Sequence, residues 1–212
     1  MMNHPKGRFL VVEGLEGAGK SSTVQCMVDY LTQAQIPFIQ TREPGGTQIG
    51  ETLRTLIKSG LDGERLYPQS ELLLIYASRV QLVEQVIRPA LNEGTWVICD
   101  RFELSTYAYQ GGGRQIDTST IDMLSAFCLH GLKPDLLFYL DIMPEMGLSR
   151  AKLRGEFDHI ERESQAFFSR VYHMYHERLS AMHYARRIDA TLPLEKVVAS
   201  VKQALDISRE SG

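Results

Sequence analysis

Eight residues, Gly14-Leu15-Glu16-Gly17-Ala18-Gly19-Lys20-Ser21, have the spacing G-x-x-x-x-G-K-[ST], with Ser22 directly after them. That pattern could hold the phosphates of ATP or another nucleoside triphosphate. The glycines let backbone N–H groups turn inward around phosphate oxygens, and a following helix adds its partial positive N-terminus. Lys20 would reach the β- and γ-phosphates, and the Ser21 hydroxyl would ligate Mg²⁺. The pattern means most between a strand and a helix, and both flanks comply. Phe9, Leu10, Val11 and Val12 read as a buried strand, while Val24, Met27, Val28 and Leu31 recur at helical spacing over 22–34.

A triphosphate site alone leaves a motor, a switch GTPase and a kinase open. A second constellation narrows the choice. Trp96-Val-Ile-Cys-Asp100-Arg101 is an apolar run ending in an acid and a base. Asp100 can hold Mg²⁺ directly or through water, and Arg101 offers a planar fork to a second phosphate. Arg150, Lys152 and Arg154 form a basic stretch before Gly155, and the four-residue spacing of Arg150 and Arg154 puts both on one helix face. On a mobile segment around 150–163 such cations could close over a transferring phosphoryl group. The Asn-Lys-x-Asp stretch a guanine-reading switch should carry is missing from the sequence.

These residues need a frame. Strand-length apolar runs fall at 9–12, 37–40, 96–99 and 136–140, with a weaker fifth at 184–188 that two arginines interrupt. Helical periodicity marks 22–34, 47–58, 70–92, 118–130, 144–154, 163–182 and 194–208. Pro144 and Pro193 sit where a helix tolerates proline at its start, whereas Pro89 should kink or shorten the long pattern containing it. Continuous rather than alternating apolar strands imply a parallel sheet covered on both faces. The expectation is one doubly wound α/β domain over 1–212, with a five-stranded sheet and ligands at the carboxyl ends of its strands.

With 23 basic and 26 acidic side chains the formal charge is −3, so nothing global points to nucleic acid or a membrane surface. Cys26, Cys99 and Cys128 lack metal-type spacing and read as reduced thiols of a cytoplasmic protein. No apolar run approaches the roughly 18–20 residues that would span a bilayer.

Several separated stretches resemble bacterial thymidylate kinases: Glu13 to Ser22, Thr41-Arg-Glu-Pro-Gly-Gly-Thr47, Tyr76-Ala-Ser-Arg79, Asp100-Arg101, Leu104-Ser-Thr-Tyr-Ala-Tyr-Gln-Gly-Gly-Gly-Arg114, Lys133-Pro-Asp-Leu-Leu137 and Ile188-Asp-Ala190. The resemblance spans nearly the whole chain. It implies a P-loop nucleoside monophosphate kinase fold, a homodimer, and Mg²⁺-assisted transfer from ATP to dTMP. It places Lys20 and Ser21 at the triphosphate, with Gly14 to Ser22 and Arg150 on the ATP side. Glu16 is expected near the acceptor 3′-hydroxyl, Arg54 and Arg101 near the dTMP phosphate, Arg79 at thymine O4, Thr106 and Gln110 around the base, and Tyr109 beside the sugar. Gly17 stands where one variety of the family has a basic residue; the resemblance therefore assigns the catalytic lid arginine to Arg154, with Lys20 and Arg101 as the other catalytic cations. Asp189-Ala190 falls at the family's adenine loop. Ile75 replaces a stacking Phe, so the base would be covered by apolar contact without a π face. A related nucleotide or deoxynucleoside kinase is the alternative.

Overall fold

The computed structural model describes residues 7–60, 64–153, 160 and 163–210. Five strands form one sheet: β1 (Phe9–Gly14), β2 (Phe38–Arg42), β3 (Trp96–Asp100), β4 (Leu136–Asp141) and β5 (Ala185–Asp189). Their order is β2-β3-β1-β4-β5, and every pairing is parallel. Side chains alternate between faces along a strand, yet β1 and β4 are buried at every position. Both faces of the central sheet are therefore covered. The edge strands β2 and β5 expose more of themselves, which is where Arg186 and Arg187 can stand in a strand. This is the expected doubly wound α/β arrangement.

The helices are α1 (Lys20–Gln33), α2 (Gln48–Ser59), α3 (Pro68–Leu82), α4 (Arg88–Asn92), α5 (Glu103–Thr106), α6 (Thr118–Leu129), α7 (Pro144–Lys152), α8 (Gln165–Leu179) and α9 (Leu194–Glu210). The pattern at 70–92 is helical throughout, but its regular turns stop at Leu82 and resume at Arg88, across a π-helical stretch Val83–Ile87. Pro89 explains the interruption. It cannot donate to the preceding turn and its ring crowds that turn's carbonyl, so a wider turn upstream accommodates it.

One helical element has no counterpart in the sequence reading. Glu103 to Gly113 is helical, α5 continuing into a second π-helical stretch Tyr107–Gly113, although three consecutive glycines suggest a break. The glycines serve a close approach. A Cβ on Gly112 would lie 2.7 Å from the Arg170 carbonyl oxygen and 2.8 Å from Met174 Cβ, and one on Gly113 would lie 2.4 Å from the Phe167 ring. Helix α8 thus lies directly on this backbone, and Arg170 donates to the carbonyls of Gly112 and Gly113 at 3.2 and 2.9 Å.

Candidate active site

In this strand order the chain leaves β1 toward β2 and leaves its neighbour β3 in the opposite direction, toward β4, so a crevice opens between the carboxyl ends of β1 and β3. The register puts Val12 beside Asp100, and the phosphate loop and Arg101 follow from these neighbouring strand ends. A cavity of about 240 Å³ occupies the crevice. Its walls include Glu16, Lys20, Ser21, Arg54, Ile75, Arg79, Asp100, Arg101, Thr106, Tyr109 and Gln110. Every acceptor-side residue expected from the sequence therefore faces one space, together with Lys20, Ser21 and Asp100 from the donor side.

The loop itself runs from Gly14 through Leu15, Gly17, Ala18 and Gly19 into α1, with positive φ at all three glycines. Gly17 has a further reason to lack a side chain. A Cβ there would sit 2.0 Å from the Gly147 carbonyl oxygen, and one on Gly147 would sit 2.5 Å from the Glu16 carbonyl oxygen. The loop and α7 meet backbone to backbone, so a basic residue at position 17 has no room. This contact carries Arg150 to the loop, and its guanidinium donates to the Ala190 carbonyl at 2.8 Å. Arg150 and the Asp189-Ala190 segment are thus in contact. Arg154 and most of the 150–163 segment lie outside the described residues.

The cations are held in place by oxygens. Lys20 Nζ donates to the carbonyls of Gly14 and Leu15 at 3.0 and 2.8 Å. Burial, and then the neighbouring charge of Arg101, push its ammonium down to about 8. Arg101 has φ 67, a left-handed conformation uncommon for a residue with a side chain. Its guanidinium meets Glu16 Oε1 at 2.7 Å, the Gly14 carbonyl at 3.0 Å, Ser105 at 3.2 Å and Tyr175 at 3.4 Å. Tyr109 Oη lies 2.9 and 2.7 Å from the two Glu16 oxygens, and its ring packs under Arg101 with the guanidinium carbon 5.1 Å from the ring centre. Arg54 donates to the Pro44 carbonyl at 2.8 Å.

Arg79 is almost fully buried. Its Nε and Nη2 contact Glu43 Oε2 at 2.8 and 2.7 Å, and Nη2 donates to Thr106 at 2.9 Å. Nη1 has no hydrogen-bond partner among the described residues. A buried guanidinium donor left over in this way is costly, so a carbonyl oxygen entering the pocket there would relieve it. Burial pushes the Glu43 carboxyl up to about 7 against the pull of Arg79. Ile75 lines the wall with little exposure. Tyr76 turns into the core, its hydroxyl on the Ile121 carbonyl at 3.3 Å and its ring under Arg79.

Supporting residues had no role in the sequence reading. Glu13 is fully buried, taking Phe102 N and Ser105 N at 2.9 and 3.1 Å on one oxygen, and the Ser105 and Tyr175 hydroxyls at 2.6 and 3.0 Å on the other. It pins α5 and α8 to the end of β1. Burial raises its pKa, opposed first by Arg101. Glu13 and Glu43 both stand inside the quoted motifs, but nothing local to either shows the distant partners that it holds.

The whole arrangement brings a phosphate loop, two arginines, Arg54 and Arg101, and a buried pocket together around one cavity. Comparison with known proteins agrees. The thymidylate kinase family profile matches residues 12–201. The chain belongs to the thymidylate kinase family. It is 55% identical over 205 residues to a thymidylate kinase of Legionella pneumophila strain Corby, with 97% of each chain covered. It is 53% identical, with the same coverage, to a thymidylate kinase of the Paris strain. Within this family frame, Glu43, Glu13, Ser105 and Tyr175 hold the arginines and the α5 turn that form the pocket. No helix among the described residues is long and apolar enough to cross a membrane.

Proposed function

We propose that this chain transfers the γ-phosphoryl group of ATP to dTMP, giving dTDP and ADP and so supplying dTTP synthesis for DNA replication. The observation that carries this reading is one cavity lined both by Lys20 and Ser21 of a phosphate loop and by a buried arginine, Arg79, that has a donor to spare. The acceptor phosphate is already an anionic nucleophile and needs little help from a base. The difficulty is bringing two polyanions into line, which positioned positive charge relieves. Lys20 takes the β- and γ-phosphates; Arg101 and Arg54 take the dTMP phosphate. Glu16 and Tyr109 flank the sugar, and Ile75 covers the base by apolar contact. Arg79 donates to O4, with Thr106 and Gln110 beside it.

Arg154 supplies the lid charge and Arg150 assists on the donor side; closure of the 150–163 segment excludes water as a competing acceptor. Ser21 and Asp100 would hold Mg²⁺. Asp100 Oδ1 is buried and accepts no hydrogen bond among the described residues, which suits an oxygen ligand of a hard cation or of its water. The bound ion would screen the charge of the phosphates. A homodimer is supported by Leu73 on α3 and Met123 and Phe127 on α6, apolar side chains 57%, 65% and 75% exposed on helices that pack together. A reducing compartment, the cytoplasm, is supported by three free, buried cysteines.

A coupled ADP-release assay with each acceptor tests the reading. Arg79 can only donate, so it suits O4 of thymine or uracil and opposes the amino group of cytosine. Loss of the thymine methyl costs about 1–3 kcal/mol, whereas a mispaired polar group can cost about 10⁴-fold. The expected order in kcat/KM is dTMP, then dUMP, with dCMP and ribonucleotides far behind. Turnover of dCMP within about tenfold of dTMP would instead favour a broader nucleotide kinase.

A further inference from the structure

Gln110 is 2% exposed, and its neighbour allows its amide one orientation. Nε2 donates to Glu71 Oε1 at 2.8 Å. Both oxygens of Glu71 also accept from Arg114, Nε to Oε1 at 3.2 Å and Nη2 to Oε2 at 3.1 Å. This paired carboxylate has only acceptor sites to offer Gln110, so the amide nitrogen must face it. Gln110 also lines the active-site cavity, and what remains for that side is its carbonyl oxygen.

Arg114 is itself immobilised. Its backbone N–H closes the π-helical stretch on the Tyr109 carbonyl at 2.8 Å. Its guanidinium is 5.0 Å from the Phe167 ring centre and pairs with a second acid, Glu163. Glu71 is as buried as Gln110, and a buried ion pair is weak evidence of stabilisation in itself. What this pair does accomplish is directional.

We propose that Glu71 and Arg114 are positioning residues for base recognition, locking the Gln110 amide so that an acceptor faces the incoming ring. Arg79 then presents donors and Gln110 an acceptor. Together they match a pyrimidine with a carbonyl beside a ring N–H, as in thymine or uracil. Cytosine offers the reverse, an amino group beside a bare ring nitrogen, and is opposed at both places. The inference rests on the dTMP kinase reading and deepens it, because it assigns selectivity to two residues that touch no substrate.

The test is a double-mutant cycle on the full-length enzyme, with kcat and KM measured for dTMP and dCMP. In Glu71→Gln the new amide can donate or accept, which frees Gln110 to turn over. KM for dTMP should rise roughly tenfold with kcat changed less than about threefold, and the dTMP-to-dCMP preference should shrink. In a Gln110→Leu background the same Glu71→Gln change should leave KM unaltered. Arg114→Lys keeps the charge but loses the fork. It should give a smaller defect of the same kind, and it carries the cycle if Glu71→Gln fails to fold. Equal KM effects with and without Gln110, or no KM effect from either variant, would overturn the assignment. Wild-type turnover of dTMP separates the two failures. An inactive wild type sinks the functional reading, whereas an active one with an additive cycle sinks only the role of Glu71 and Arg114.

Discussion

In the proposed reaction Lys20 carries the charge on which the donor half of the site depends, and its ammonium, held at about 8 by burial and by Arg101, titrates within a range enzymes tolerate. Only the protonated form can neutralise a triphosphate. Each pH unit above the pKa removes about nine-tenths of what remains, worth about 1.4 kcal/mol. From the value of about 8, kcat/KM for ATP should be half its plateau near pH 8 and about tenfold down at pH 9. The limb in kcat should lie higher, since bound phosphates favour the charged ammonium. Competing titrations fall elsewhere. A phosphate monoester takes its second charge near pH 6, Glu43 titrates at about 7, and burial raises all three cysteines. The assay is ADP release at saturating dTMP with ATP varied, from about pH 6.5 to about pH 9.5 at constant ionic strength. Lys20→Arg will be slower in absolute terms, but its profile should lose the limb, because a guanidinium keeps its proton. A wild-type profile flat to about pH 9.5, or a limb surviving unchanged in Lys20→Arg, would refute the reasoning.

Arg154→Ala should depress kcat by about 10³-fold while leaving the KM values for ATP and dTMP nearly unchanged, with Arg150→Ala milder; the reverse order in steady-state kinetics would move the lid charge to Arg150. Gly112→Ala drives a Cβ to within 2.7 Å of the Arg170 carbonyl oxygen, and should cost about 1–3 kcal/mol in urea denaturation. Glu43→Gln should alter the pH dependence of stability. Because the native pKa of about 7 exceeds the ordinary 4.5, the folded wild type binds more protons than the unfolded chain in that window and loses stability as pH rises through it. The variant lacks that loss, so its stability relative to wild type should improve on the order of 3 kcal/mol between about pH 4.5 and pH 7.5. Parallel denaturation curves at both pH values would contradict it.

The central sheet was legible because β1 and β4 are buried on both faces and therefore read as unbroken apolar runs. The faint signal of β5 has the same physical origin in reverse: at a sheet edge, Arg186 and Arg187 reach water without leaving the ladder. Strand ends were read short. Glu13, Asp100, Asp141 and Asp189 continue the pairing, since a backbone ladder is indifferent to the polarity that periodicity measures. The helical run from Glu103 to Gly113 carries no local signature: three consecutive glycines disfavour a helix, and their cause is the proximity of α8, more than fifty residues onward. The site divides in the same way. Residues whose chemistry is local, such as Lys20, Arg79 and Arg101, could be found from motifs. Glu13 and Glu71 could not, because their meaning depends on partners brought from distant parts of the chain.

Charge links these observations. The chain as a whole is slightly acidic, at −3, which by itself would repel nucleotides. The cavity reverses that locally: among the described residues six Lys and Arg side chains line it against three acids, Glu16, Glu43 and Asp100. A concave, low-dielectric wall focuses such a field, so the local excess outweighs the distant surplus of carboxylates. The acids are not idle counterweights. Glu16 belongs to the phosphate loop but binds Arg101 and Tyr109 of the facing wall, and Glu43 fixes Arg79 through two nitrogens. Each therefore lowers the charge slightly while fixing where it points. For in-line transfer between two anions, direction matters more than total charge, since a cation displaced by about 1 Å can cost about 10²-fold in rate.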